Sequence, residues 1–183
     1  MPRLLGSSTQ ETAMPSPVLY LVCGKIAAGK STLARELAAR PATLLISEDH
    51  WMSNLFSDEL KTLDDYRRCS AKLRRAIGPH VVAILQTGLS VVLDFPANGK
   101  SNRGWMHGLI DEAHAAHQLH VLDVPDAVCK QRLRARNESG AHPFKASDKD
   151  YDLFTAYFDP PTPDEGFDVV VHRFDDSAHA KTP

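Results

Sequence analysis

Gly24-Lys25-Ile26-Ala27-Ala28-Gly29-Lys30-Ser31 fits the pattern G-x-x-x-x-G-K-[ST], the Walker A phosphate loop. Its flanks give the match its weight. Pro17 to Cys23 is an apolar run, as a buried strand would be, and Thr32 to Arg40 has helical spacing. Strand, glycine turn and helix start are the parts this motif needs. Glycine lets backbone N–H groups converge on phosphate oxygens, and the helix N-terminus adds partial positive charge. Gly24, Lys25, Ala27, Ala28, Gly29 and Thr32 are therefore expected to line the phosphates of a nucleotide. Lys30 would reach the β- and γ-phosphates, and the Ser31 hydroxyl would bind Mg²⁺. The competing reading is a plain glycine turn between strand and helix.

The chain has 183 residues, 43% apolar and 24% charged, with a formal net charge of −2. That length suits one domain with a full core, expected over 17–174 between tails at 1–16 and 175–183. The first 16 residues read as a disordered tail, with Met14 a second candidate start. The charge offers no positive field for nucleic acid. No apolar run approaches a membrane span. Cys23, Cys69 and Cys129 are an odd, widely spaced set without C-x-x-C, which fits a reduced cytoplasm better than a disulfide framework.

Outward from the loop, strands alternate with helices. Strands are expected at 18–23, 43–47, 90–95, 119–124 and 167–172. Helices are expected at 31–39, 63–86 (kinked or split at Gly78-Pro79), 104–116 and 126–136, the last capped by Asp126. Asn137 to Ala146 reads as a polar loop. Ser147-x-x-Asp150 reads as a capping box for a helix reaching Phe158, ended by Pro160-Pro161. The predicted fold is α/β: a P-loop nucleotide-binding fold with a five-stranded parallel sheet, order 2-3-1-4-5, and helices on both faces. Ligands should sit beyond the carboxyl ends of its strands.

Those strand ends carry the candidate chemistry. Val91-Val92-Leu93-Asp94 has the form of a Walker B strand, an apolar run and then a carboxylate that can support Mg²⁺. Its rival is a strand-end aspartate that merely turns the chain. Strand two ends in Ser47-Glu48-Asp49. A carboxylate there could orient a hydroxyl nucleophile and take its proton, or it could simply cap a short helix. Arg132 and Arg136 share a helix face and precede a glycine-containing loop, as a mobile lid carrying arginines onto phosphate would, or a solvated basic face. Arg134 should point elsewhere.

Weaker signals have plainer readings. His114, His117 and His120 should not converge on a metal. Arg67, Arg68, Arg74 and Arg75 read as a solvated face, with Asp64 pairing Arg68 at i,i+4. Tyr151, Phe154 and Phe158 read as packing. Asp159, Asp164 and Glu165 form an acidic, proline-rich loop that keeps the surface soluble or attracts a cationic substrate, with Asp159 the candidate contact.

Together the phosphate loop, Ser47-x-Asp49, Asp94 with Asn98, and Arg132-Leu133-x-x-Arg136-Asn137 resemble small P-loop kinases: zeta toxins, polynucleotide kinases and chloramphenicol phosphotransferase. The resemblance implies ATP and Mg²⁺ at Gly29 to Thr32, and Asp49 rather than Glu48 as base. It also implies Asp94 at the metal or substrate, Asn98 at the acceptor, and Arg132 and Arg136 clamping phosphate. Phe95 follows Asp94 where many motor ATPases carry a water-activating glutamate, which argues against a motor. Met52 stands where polynucleotide kinases of this type have a phosphate-binding arginine, which argues against a nucleic-acid end. The Asp94-Phe95-Pro96-Ala97-Asn98 segment looks most like a bacterial subgroup that includes an aminoglycoside-resistance phosphotransferase. The reading implied is a cytoplasmic ATP-dependent kinase of a small-molecule hydroxyl, with a cationic aminoglycoside leading. The alternatives are a nucleotide sugar or other metabolite, a polynucleotide 5′-hydroxyl, or nucleotide binding without transfer. A guanine switch would carry N-K-x-D, and no such tetrapeptide occurs.

Overall fold

Val18–Cys23 (β1) lies at the centre of one parallel sheet, in a computed structural model that describes residues 16–140 and 146–174. The expected tails, apart from Ser16, and residues 141–145 of the polar loop before Ser147 fall outside the described residues. Ser90–Pro96 (β3) and Ala116–Asp123 (β4) flank β1, while Thr43–Ser47 (β2) and Val169–Arg173 (β5) form the edges. Every pairing is parallel and the order is β2-β3-β1-β4-β5, as expected.

The central strand explains why helices cover both faces. Successive side chains alternate across a strand. Leu19, Leu21 and Cys23 enter the larger core cluster with residues of Leu63–Gln86 (α3) and Lys100–Ala113 (α4). Tyr20 and Val22 enter another with Ala34 and Leu37 of Lys30–Ala38 (α1). A third cluster joins Ala28 of the phosphate loop to Cys129 and Leu133 of Asp126–Ser139 (α5) and Tyr151 of Asp148–Thr155 (α6). The remaining helix, Glu48–Leu55 (α2), follows β2 directly. Among the described residues, no helix is long and apolar enough to cross a membrane.

The differences from expectation have local causes. Helix α3 runs unbroken through Pro79, because Leu73, Ile77, Val81 and Leu85 hold one continuous stripe in the core. Gly78 there is buried and faces Leu109 and Trp105 of α4. Helix α4 starts at Lys100, four residues earlier than the glycines suggest, and ends at Ala113, so β4 begins at Ala116. Helix α5 is preceded by Pro125 at its cap, not Asp126, and extends to Ser139. The capping box of Ser147 and Asp150 is present, but α6 stops at Thr155, short of the two prolines. Arg67 pairs with Asp64 and Arg68 with Asp65, both at i,i+3 rather than i,i+4.

Candidate active site

The phosphate loop bends where sterics demand glycine. Gly24 has φ 155°, and a Cβ on it would lie 3.1 Å from Leu122 Cβ and 3.2 Å from Leu122 O, tighter than most side chains tolerate. Gly29, at φ 109°, caps α1. Between them Ala27 holds φ 58°, a left-handed conformation uncommon outside glycine. Lys30 folds back over the loop, donating from Nζ to Gly24 O (2.7 Å) and Lys25 O (2.9 Å). Burial lowers its pKa, while the charges of Asp94 and Asp49 favour the ammonium.

Asp94 reaches this cation through an irregularity in β3. Leu21 pairs with Leu93 but Val22 with Pro96, so Asp94 and Phe95 are passed over in the β1 ladder. The Asp94 carboxyl is pushed up by burial and pulled down by a hydrogen bond from Ser31. A hydroxyl and a carboxylate side by side are the oxygen donors a hard cation such as Mg²⁺ takes, so these residues fit that ion.

Asp49 lies in the first turn of α2, in electrostatic contact with Lys30, Asp94 and Arg136. Glu48 turns the other way and is 1% exposed. It accepts from Ser70 Oγ (2.5 Å) and Tyr66 OH (2.7 Å) and faces Arg74 at 3.5 Å. Arg74 therefore does not belong to a solvated face; it also donates to Asn102 (2.6 Å). Arg132 donates to Ala28 O (3.2 Å) and lies 5.4 Å over the Phe174 ring. Arg136 Nε is buried with no hydrogen-bond partner among the described residues; burial depresses its pKa, and the Asp49 charge opposes this. Arg134 points away, to Asp148, as expected.

A family model of the AAA domain, AAA_33, matches residues 19–161. The chain belongs to this AAA-domain family. Among solved structures, the AAA domain resembles a candidate kinase of Chloroflexus aurantiacus J-10-fl, with TM-score 0.71 and 24% identity over 91% of this chain and 96% of the other. It also resembles Chaetomium thermophilum Kti12, solved with ADP-AlF3, with TM-score 0.67 and 18% identity over 87% and 90%. A third is the Mycobacterium tuberculosis APS kinase CysC, solved with AMPPNP and APS, with TM-score 0.59 and 18% identity over 88% and 90%. These likenesses establish the fold. No curated protein matches the chain.

Other expected residues of the AAA domain are placed differently. Asn98 does not open toward an acceptor: its Oδ1 accepts from Gly24 N–H and its Nδ2 donates to Gly24 O, both at 2.9 Å. Lys25 forms an ion pair with Asp126, which also accepts from Tyr151 OH (3.0 Å). The acidic loop is an anchor: Arg103, fully buried, binds Glu165 at 2.6 and 2.9 Å and donates to Asp159 O (2.7 Å). Asp159 keeps an exposed carboxylate, 4.0 Å from Arg103. Asp64 pairs with Arg67, Asp65 with Arg68 and Glu48 with Arg74. Met52 is fully buried in the core. His114 ends α4, His117 accepts from Asp168 N–H (3.1 Å), and His120 meets His172 at 2.8 Å. Among the described residues no group of three His, Cys, Asp or Glu could hold a metal. Arg103 escapes a reading of the sequence, since nothing in Asn102-Arg103-Gly104 marks a buried arginine.

Proposed function

We propose that the chain is an ATP-dependent kinase that transfers the γ-phosphoryl group to the hydroxyl of a small molecule. The observation that carries this is Asp49, a carboxylate in the first turn of α2 whose charge is felt by Lys30 of the phosphate loop, Asp94 and Arg136. A loop that only bound nucleotide would need no such group. Asp49 orients the acceptor hydroxyl and takes its proton as oxygen attacks the γ-phosphorus and the bond to the ADP oxygen breaks. Lys30, Arg132 and Arg136 offset charge on the transferring group. Ser31 and Asp94 would hold Mg²⁺, which would supply charge neutralisation at the phosphates. The kinases among the structural relatives support the reading by analogy of fold. A motor reading is disfavoured by Phe95, buried in the core after Asp94.

A small-molecule acceptor is favoured over a nucleic-acid end by Met52, a buried core residue at the position where polynucleotide kinases of this type carry a phosphate-binding arginine. An aminoglycoside is the narrower proposal. Its support is the exposed Asp159 with Asp49; the engagement of Glu48, Asp64, Asp65 and Glu165 weakens it. Incubating the chain with γ-labelled ATP and a panel of hydroxylated acceptors, aminoglycosides included, tests both levels. A labelled acceptor, absent with Lys30→Ala, is expected. ATP hydrolysis with no labelled acceptor would sink the kinase reading.

A further inference from the structure

We propose that Asn98 is a positioning residue for the phosphate loop, a clamp that holds Gly24 in place while Lys30 moves from the loop onto phosphate. The inference rests on the reading of Gly24 to Ser31 as a nucleotide site. It gives Asn98 a role on the nucleotide side in place of the acceptor side.

The argument starts from the Gly24 peptide groups. Gly24 is buried, so its N–H and C=O cannot turn to water. It also lies where the β1 ladder runs out: the register with β3 has slipped, Val22 meets Pro96, and Ala97 N–H donates to Val22 O (3.1 Å). Beyond that point the Asn98 carboxamide takes over from the backbone. It accepts from Gly24 N–H and donates to Gly24 O, both at 2.9 Å, the pair of bonds a neighbouring strand would supply.

Gly24 O has a second donor, Lys30 Nζ at 2.7 Å, and Lys25 O accepts from the same ammonium at 2.9 Å. To reach a β- or γ-phosphate, Lys30 must loosen these bonds. Gly24 O then keeps one donor, Asn98 Nδ2. Without it, releasing Lys30 would leave a buried acceptor unsatisfied, and the lysine would resist leaving. Asn98 also fixes the Gly24 N–H, so the loop does not collapse when the ammonium departs.

The clamp has its own support, made by groups that do not touch the loop. Asn98 O accepts from Asp159 N–H (2.9 Å). Arg103 donates to Ala97 O (3.0 Å) and Asp159 O (2.7 Å), with Glu165 balancing its charge. The backbone on both sides of the carboxamide is therefore pinned.

The test measures ATP binding to the whole chain by titration calorimetry, for wild type, Asn98→Ala and Asn98→Asp, each also in a Lys30→Ala background, with melting curves alongside. Asn98→Ala should weaken ATP about tenfold, the loss of one hydrogen bond to a buried group. Asn98→Asp keeps the shape and the acceptor for Gly24 N–H, but sets an anion against Gly24 O and offers Lys30 a competing partner, so it should weaken ATP at least as much. In the Lys30→Ala background the penalty of either variant should largely vanish, because no ammonium then has to leave Gly24 O. If Asn98→Ala does not melt cooperatively, the isosteric variant carries the test. Variants that bind within about twofold of wild type, or a penalty unchanged by Lys30→Ala, would overturn the clamp and leave the nucleotide reading standing. A wild type that binds no ATP would overturn that reading and the clamp with it.

Discussion

Lys30 is a cation that burial opposes and Asp94 sustains, and a buried charge held against that cost is suited to meeting an anion. Lys30→Ala should cut phosphoryl transfer by about a hundredfold or more, as removal of one preorganised charge does, with an unchanged circular-dichroism spectrum. Asp49→Asn separates chemistry from binding. Turnover should fall by about a hundredfold to ten-thousandfold while ATP affinity, read by calorimetry, stays near wild type; normal turnover would show that another group is the base. His120 makes a different prediction. It is 3% exposed, its Nε2 has no partner among the described residues, and burial pushes its pKa down to about 4, helped by His172 and Arg40 and opposed by Asp168, with the Tyr20 ring also packed near. The unfolded chain takes up a proton near pH 6.5 that the folded chain refuses until about 4. The His120 contribution is thus whole above about 6.5 and is lost as pH falls toward 4, with a limiting slope of about 1.4 kcal/mol per pH unit. Urea titrations across this range should show the slope, and His120→Phe should reduce it.

Elements decide what single residues cannot. Glu48 and Asp49 are adjacent carboxylates and equal in sequence, but neighbours on a helix point about 100° apart. That rotation sends one into a buried network and the other to the phosphate loop. Strands β1 and β2 and helix α3 are legible to the residue because their apolar periods are uninterrupted. Helix α4 is not, because Gly104 and Gly108 hide its start, and its one buried cation, Arg103, has partners far along the chain at Asp159 and Glu165, beyond any local pattern. The same holds for Asn98: its type stands out in the sequence, while its direction depends on the slip in β3. The Arg103–Glu165 pair also fixes a stability prediction for the loop between α6 and β5. Arg103 pulls the Glu165 pKa down to about 2, so this carboxylate stays charged far into acid. Glu165→Gln leaves a buried guanidinium without its anion and should cost about 3 kcal/mol, measured as a lower urea midpoint at constant slope.

At the scale of the molecule, the parallel sheet brings the carboxyl ends of β1, β2 and β3 to one edge, and α5 brings Arg132 to Ala28 O of the loop there and Arg136 within reach of the Asp49 charge. The fold class is readable from one octapeptide and the alternation around it, and the strand order from the resemblance to P-loop kinases, because right-handed crossovers by themselves allow several parallel orders. Which carboxylates face that edge is not readable, since it depends on how several helices pack at once. A ligand there touches elements from every part of the chain, so it should stabilise all of them together rather than one loop. ATP with Mg²⁺ at a hundred times its Kd should therefore add about 2.7 kcal/mol. For a domain of this size that is a rise of about 5–10 °C in a single cooperative melting transition. Lys30→Ala should lose most of the shift. A shift in only part of the transition would mean that the nucleotide stabilises the loop without coupling to α5, and would count against the proposed action of Arg132 and Arg136 on phosphate.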